Sequence, residues 1–261
     1  MLTLPISDSL TVSLYNSIKE FPAARQLDAK LFAIEQAGLS LSPEELEVRK
    51  ERLDLLLAFN QQADYQLEAY NYQLSITLLE QGYNPVEPEW ACHVQAINGE
   101  PVTDYSEDAL GARVTALKQQ GLSLEQIETS LATVKAEMLA EIKRYYPNRV
   151  IRGKYNNLQR QLNYGIALAD HLALDTEETK AKLDKTTLDV LTMQKPIDLR
   201  DETNNTPVSL EKSQFRLYTR LQESGCNDVN SLTVYQFYGW LEMLEERNEQ
   251  QALALAKAKK R

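Results

Sequence analysis

The chain is expected to be mainly α: a helical bundle with one very long helix, a small inserted β-hairpin and a helical C-terminal module. Three observations predict this. Ser42-Pro43-Glu44-Glu45 and Thr233-Val234-Tyr235-Gln236 each spell a capping box. In such a box the hydroxyl satisfies an orphan backbone amide, while the Glu or Gln three residues on reaches back to the cap. No proline or glycine lies between Glu44 and Gln81. Nine glycines in 261 residues suit long helices better than a fold of strands and tight turns.

Taken in order, Leu10, Leu14 and Ile18 are at helical spacing, so a short helix is expected from Ser9. Pro22 restarts a helix through Leu27, Leu31 and Ile34, with Gly38 as its C-terminal stop. The stretch from Pro43 to Gln81 then predicts a single helix of roughly 58 Å. Leu46, Leu53, Leu56, Asn60, Ala63, Leu67, Tyr70 and Leu74 follow a 3-4 spacing along it, and Arg49 is the exception. Such a seam packs along another helix of this chain or of a neighbour, with Asn60 as a polar register marker.

Pro85 and Pro88 argue against helix after Gly82. Trp90, Cys92, Val94 and Ala96 alternate with Ala91, His93, Gln95 and Ile97, and Asn98-Gly99 supplies a type I′ turn. A hairpin inserted at about 89–103 is therefore expected. Helices follow from Glu107 to Gly121, from the Ser123-Leu-Glu-Gln126 cap to Pro147, near 154–173 and near 176–193. The polar stretch 196–207 is the expected linker. Beyond it, Phe215, Tyr218 and Leu221 line one helix. A last helix opens at Thr233, where Leu232 staples onto Phe237. It runs into a basic tail of Lys257, Lys259, Lys260 and Arg261. The expected division is thus 1–195, a long-helix domain carrying the hairpin; 196–207, a linker; and 208–261, a helical module.

Composition narrows the function classes. The net charge of −10 opposes nonspecific nucleic-acid binding by the whole surface, though not by a local patch. The N-terminus lacks the pattern of a signal peptide. The longest clean apolar run, Leu55 to Phe59, is far short of the ~20 residues of a membrane span. An intracellular protein with reduced thiols is the expectation.

The most unusual charge feature is the stretch from Ile142 to Ala169. It holds Lys143, Arg144, Arg149, Arg152, Lys154 and Arg160 and no carboxylate, with Tyr145, Tyr146, Tyr155 and Tyr164 interleaved. These cations fit internal pairing with the acidic helices, a protein neighbour or a phosphate backbone. Tyr235 and Trp240 are expected to point away from the face shared by Phe237 and Leu241, offering a docking surface besides the main use of these aromatics, core packing within a C-terminal bundle. No phosphate loop, HExxH or GxSxG occurs, so neither cofactor nor catalytic residue is expected. Cys92-His93 looks like metal chemistry, but adjacent strand residues face opposite ways and only His171 and Cys226 remain as soft partners. Packing accounts for all four, and no metal site is expected. Asp198, Asp201 and Glu202 match no defined calcium loop.

Three stretches carry a resemblance: Leu14-Tyr15-Asn16 through Lys19-Glu20-Phe21-Pro22, Ile97-Asn98-Gly99-Glu100-Pro101-Val102-Thr103-Asp104, and Leu232-Thr233-Val234-Tyr235-Gln236-Phe237-Tyr238. Together they resemble uncharacterised proteins encoded among the virion and tail-assembly genes of tailed bacteriophages and prophages. The resemblance covers about a tenth of the chain and includes no catalytic motif. It implies a non-enzymatic role in building a phage particle, in the host cytoplasm during assembly or in the virion. Identical subunits or other phage structural proteins would be the partners. An assembly chaperone that leaves before maturation is the alternative, as is a nucleic-acid-binding accessory using 143–160.

Overall fold

The computed structural model describes residues 1–258 apart from Leu41, Gln194 and Glu202; of 148–158 and 255–258 it describes the backbone alone. The protein is mainly α, with ten helices and one four-stranded antiparallel sheet among the described residues. The chain forms two compact units, each assembled from separated stretches. Unit 1 comprises Met1–Ile34, Pro85–Glu141 and Pro207–Arg261; unit 2 comprises Glu35–Asn84 and Ile142–Thr206.

In unit 1 the N-terminal residues are strands, not the expected helix: β1 (Leu2–Ser7) and β2 (Leu10–Leu14) form a hairpin. Leu10 and Leu14 satisfy a period of two as well as the 3-4 spacing. Val12 between them is fully buried, and the β-branched Thr11 and Val12 favour the pleat. The sheet continues through β3 (Val94–Ile97) and β4 (Glu100–Pro101), in the order β1-β2-β3-β4. Asn98 and Gly99 have φ of 50° and 84°, the left-handed pair that a type I′ turn requires. The expected hairpin is therefore present but shorter. Trp90 and Cys92 belong to a helix, α4 (Val86–Cys92), in which Pro85 is the N-cap and Pro88 falls in the first turn. Amide groups there have no intrahelical acceptor, so a proline costs little.

Three further helices frame the sheet's connections: α1 (Ala23–Gly38), which runs on into unit 2, α5 (Glu107–Gln119) and α6 (Leu124–Tyr145). Ser123 and Gln126 exchange the two bonds of a capping box at the start of α6, at 2.9 and 3.2 Å. Trp90 is fully buried and its indole N–H donates to Ser130 Oγ at 2.9 Å. On α6, Glu141 accepts from the Ile18 amide at 2.8 Å and from the Ser17 hydroxyl, closing the turn after β2.

The last two helices are α9 (Thr206–Glu223) and α10 (Val234–Ala258). They do not form a module apart. Leu221, Cys226, Val229, Leu232 and Phe237 share one buried cluster with Ala23. Backbone bonds tie Ala23 to Leu232 and Phe21 to Val234, at 2.8 and 2.9 Å. Phe215, expected on the apolar face of α9, is 73% exposed.

Unit 2 holds the main departure from expectation. The predicted helix over 43–81 is two helices, α2 (Pro43–Ala58) and α3 (Gln62–Glu80), packed as a hairpin. Asn60 is the hinge, not a register marker: its φ is +54°, a conformation asparagine tolerates better than most residues. Ser42 caps α2 as predicted, accepting from the Glu45 amide at 3.2 Å. The other pair is α7 (Pro147–Leu174) and α8 (Glu177–Met193), joined at Asp175 with φ +43°. The expected linker is packed rather than free. Asn71 donates to the Ile197 carbonyl at 2.7 Å, and Thr206 and Asp198 exchange two bonds. Gly38 ends α1 for reasons of space rather than as a left-handed stop: a Cβ there would lie 2.8 Å from Leu199 Cδ1 and 3.3 Å from Ile197 Cβ.

Candidate functional site

The 3-4 stripe of the sequence predicts that α3 buries Leu67, Tyr70 and Leu74. Its buried residues are instead Glu68, Asn71 and Ser75, one face at i, i+3 and i+7. Tyr70 is 39% exposed. The turn at Asn60 brings α3 back along α2, so Arg49, the exception in the stripe, meets Glu68. Arg49 Nη1 donates to Glu68 Oε1 at 2.8 Å, and Arg52 Nε lies 3.6 Å from Oε2. The Glu68 side chain is only 4% exposed.

The network extends on both sides. Arg49 Nε donates to Ser40 Oγ at 2.8 Å, and the Ser40 amide donates to Ser75 Oγ at 2.9 Å. Ser75 in turn donates to the Asn71 carbonyl. Two guanidiniums thus face the one buried carboxylate. A buried charge of this kind persists only when hydrogen bonds satisfy it.

This network floors an open groove of about 580 Å³ in unit 2. Arg49, Arg52 and Lys195 supply positive charge to it, and Glu44 and Glu45 line it from the first turn of α2. Val48 adds an apolar surface that is 67% exposed. A lining of both signs with an apolar strip suits a segment of protein chain better than a small apolar ligand. The signal missed in the sequence was Arg49 itself, a cation where a helical stripe asks for leucine.

The other candidates are spread over several elements. Lys143 and Arg144 are exposed in the last turn of α6, with the Arg144 guanidinium 5.5 Å from the Tyr145 ring centre. Arg160 is exposed on α7. Arg149, Arg152 and Lys154 also belong to α7, and their side chains lie outside the described residues, as do those of Tyr155 and of Lys257, Lys259, Lys260 and Arg261. The six cations therefore do not share one helix. Glu202 of the candidate acidic trio also lies outside the described residues.

Tyr235 is 38% exposed, and Lys19 Nζ sits 5.7 Å from its ring centre. Trp240 departs from expectation: it is half-buried and packs on the cluster of Leu221, Val229 and Phe237. A helix face wide enough to cover that cluster takes in Trp240 beside Phe237 and Leu241.

His93 is buried and stacked on Phe21, ring centres 4.5 Å apart. Burial first, then the charge of Lys135, pulls its imidazole down to about 3. Burial first, then Asp28 and Glu89, pushes the neighbouring Cys92 thiol up to about 12. At neutral pH the imidazole is uncharged and the thiol keeps its proton, so the pair offers neither an imidazolium acid nor a thiolate. Among the described residues, no three His, Cys, Asp or Glu side chains are grouped so as to hold a metal ion. Nor is any described helix long and apolar enough to cross a membrane.

The stretches 14–22, 97–104 and 232–238 all fall in unit 1, and the first and third meet there. The Phe21 and Ile18 carbonyls accept from the Val234 and Tyr235 amides. No protein-family model matches the chain, and neither does a curated protein or a solved structure.

Proposed function

We propose that this chain is a structural or assembly protein of a tailed-phage particle, a head–tail or tail component that acts through protein contacts and self-association and catalyses no reaction. The observation supporting contact is the solvent side of α7. Leu162, Ile166 and Ala169 recur there at i, i+4 and i+7 and all are exposed; Leu172 and Leu174 follow at 76% and 65% exposure. Isolated surface leucines are ordinary, but an aligned apolar stripe on one helix marks a face that a partner covers. The phage context comes from the three stretches that resemble virion and tail-assembly proteins, and its partners would be identical subunits or other particle proteins.

Light scattering coupled to size-exclusion chromatography tests this reading. A discrete oligomer is expected, and Leu162→Glu with Ile166→Glu should reduce its mass. A protein that stays monomeric at every concentration would overturn self-association. Mass spectrometry of purified particles separates a retained component from a chaperone, which is present during assembly and absent afterwards.

The exposure of Lys143, Arg144 and Arg160 favours a second reading, a nucleic-acid accessory using these residues with Arg149, Arg152 and Lys154. Charge reversal at Arg149 and Arg152 tests it. Loss of DNA binding at low salt would support it, whereas loss of assembly with DNA binding unchanged would sink it.

A further inference from the structure

The second half of α10 is helical without visible support. Residues 246–254 are exposed without a break, so every side of the helix faces solvent. Helices of this length are marginal in water and owe most of their stability to packing. The exposed side chains are also ordered: Glu246, Glu249 and Leu253 fall on one face at i, i+3 and i+7, with Arg247 flanking it. Leu253 is 62% exposed.

The groove of unit 2 carries the complement. Arg49, which also holds Glu68 of the lining, and Lys195 answer Glu246 and Glu249, Glu44 answers Arg247, and Val48 answers Leu253. Arg49 spends Nε on Ser40 and Nη1 on Glu68, which leaves Nη2 to meet an incoming carboxylate. Opposite charges on matched faces set register and partner choice more than raw affinity.

We infer that residues 246–254 of one copy dock in the Arg49–Arg52–Lys195 groove of a second copy. The inference rests on the self-association reading above and adds a second pair of surfaces to the α7 stripe. Arm and groove are different patches, so the contact either repeats from copy to copy, closing a ring or extending a filament, or is exchanged reciprocally in a dimer.

Charge exchange tests it on the full chain, with the association constant read by sedimentation over a range of concentrations and folding checked by circular dichroism. The arm variant is Glu246→Lys with Glu249→Lys. The groove variant is Val48→Glu with Lys195→Glu, both at exposed positions outside the Glu68 network. Each should weaken self-association by about tenfold or more. The four substitutions combined should regain much of the loss, because the reversed arm meets a reversed groove. The same reversal at Glu177 and Glu178 on α8 changes net charge equally and should leave association unchanged. If the arm and groove variants associate like the wild type, or if the combined variant only adds their losses, the docking is wrong while self-association stands. A wild-type chain that never associates overturns both.

Discussion

Unit 1 is packed mainly on apolar side chains, whereas the face that α3 buries in unit 2 is polar. Around β2, α4 and α6, unit 1 encloses Val12, Leu14, Trp90, Val94, Ile127 and Val134, each fully buried. The face that α3 buries is Glu68, Asn71 and Ser75, tied to Arg49, Ser40 and the Ile197 carbonyl. An apolar core tolerates rearrangement in proportion to the volume disturbed. A polar one fails when a single partner is lost, because the group left behind is buried without compensation. The contrast teaches where this chain has chosen geometry over adhesive surface.

Substitution can break that contrast, and the largest effects come first. Trp90→Ala should cost about 3–5 kcal/mol through cavity formation. Glu68→Ala should cost about as much, roughly 3–5 kcal/mol, by leaving two guanidiniums without their carboxylate. Replacing Arg49, Arg52 and Glu68 together by apolar residues of similar size should return stability to within about 1–2 kcal/mol of the wild type. Urea unfolding separates the two cases. If Glu68→Ala is no worse than a surface change, the polar seam is ornamental and the comparison collapses.

Acid sharpens the contrast from the other side. His93 is held at about 3 when folded and titrates near 6.5 when unfolded, so below that pH the unfolded chain takes up a proton that the folded chain refuses. Its contribution is complete above about pH 6.5 and falls by about 1.4 kcal/mol per pH unit as pH drops towards 3. Burial raises Glu89, and its salt bridge to Lys135 only partly opposes that. The folded side chain therefore binds its proton first on acidification, which offsets part of the loss. Denaturation midpoints from about pH 7 to about pH 4 should slope less steeply in His93→Leu than in the wild type.

Two smaller effects test the backbone of unit 2. Gly38→Ala should cost about 1–3 kcal/mol, since the added carbon meets Leu199 and Ile197. Asn60→Ala should cost roughly 1 kcal/mol at its positive φ, whereas Asn60→Gly should be nearly neutral. Thermal midpoints of the three variants check both. A helix that ran through position 60 would make the alanine variant the more stable, joining α2 to α3.

What was legible in the sequence was chemistry confined to a few consecutive residues. The caps at Ser42, Ser123 and Thr233 complete their bonds within four residues, and the Asn98-Gly99 turn is set by its own two positive-φ residues, although Asn98 also bonds Thr11. The hinge at Asn60 was not legible, because asparagine is tolerated both in a helix and in a left-handed turn, and only the pairing of Arg49 with Glu68 decides between them. Leu10 and Leu14 fit both periodicities, and the choice of strand depends on β3, some eighty residues on. The groove depended on Lys195 reaching α2, a proximity that no local pattern encodes.

The bridge between Pro22 and Thr233 also has a consequence for the ribosome. About two hundred residues separate the two positions, and at roughly 5–20 residues per second their synthesis takes on the order of 10–40 s. Throughout that interval Phe21 and Ala23 have emerged, while Val229, Leu232 and Phe237, which complete their surroundings, do not yet exist. The nascent N-terminal segment must wait half-covered. A stop codon ahead of Thr233 would leave it permanently so, and truncation there should yield insoluble chain rather than a smaller folded protein.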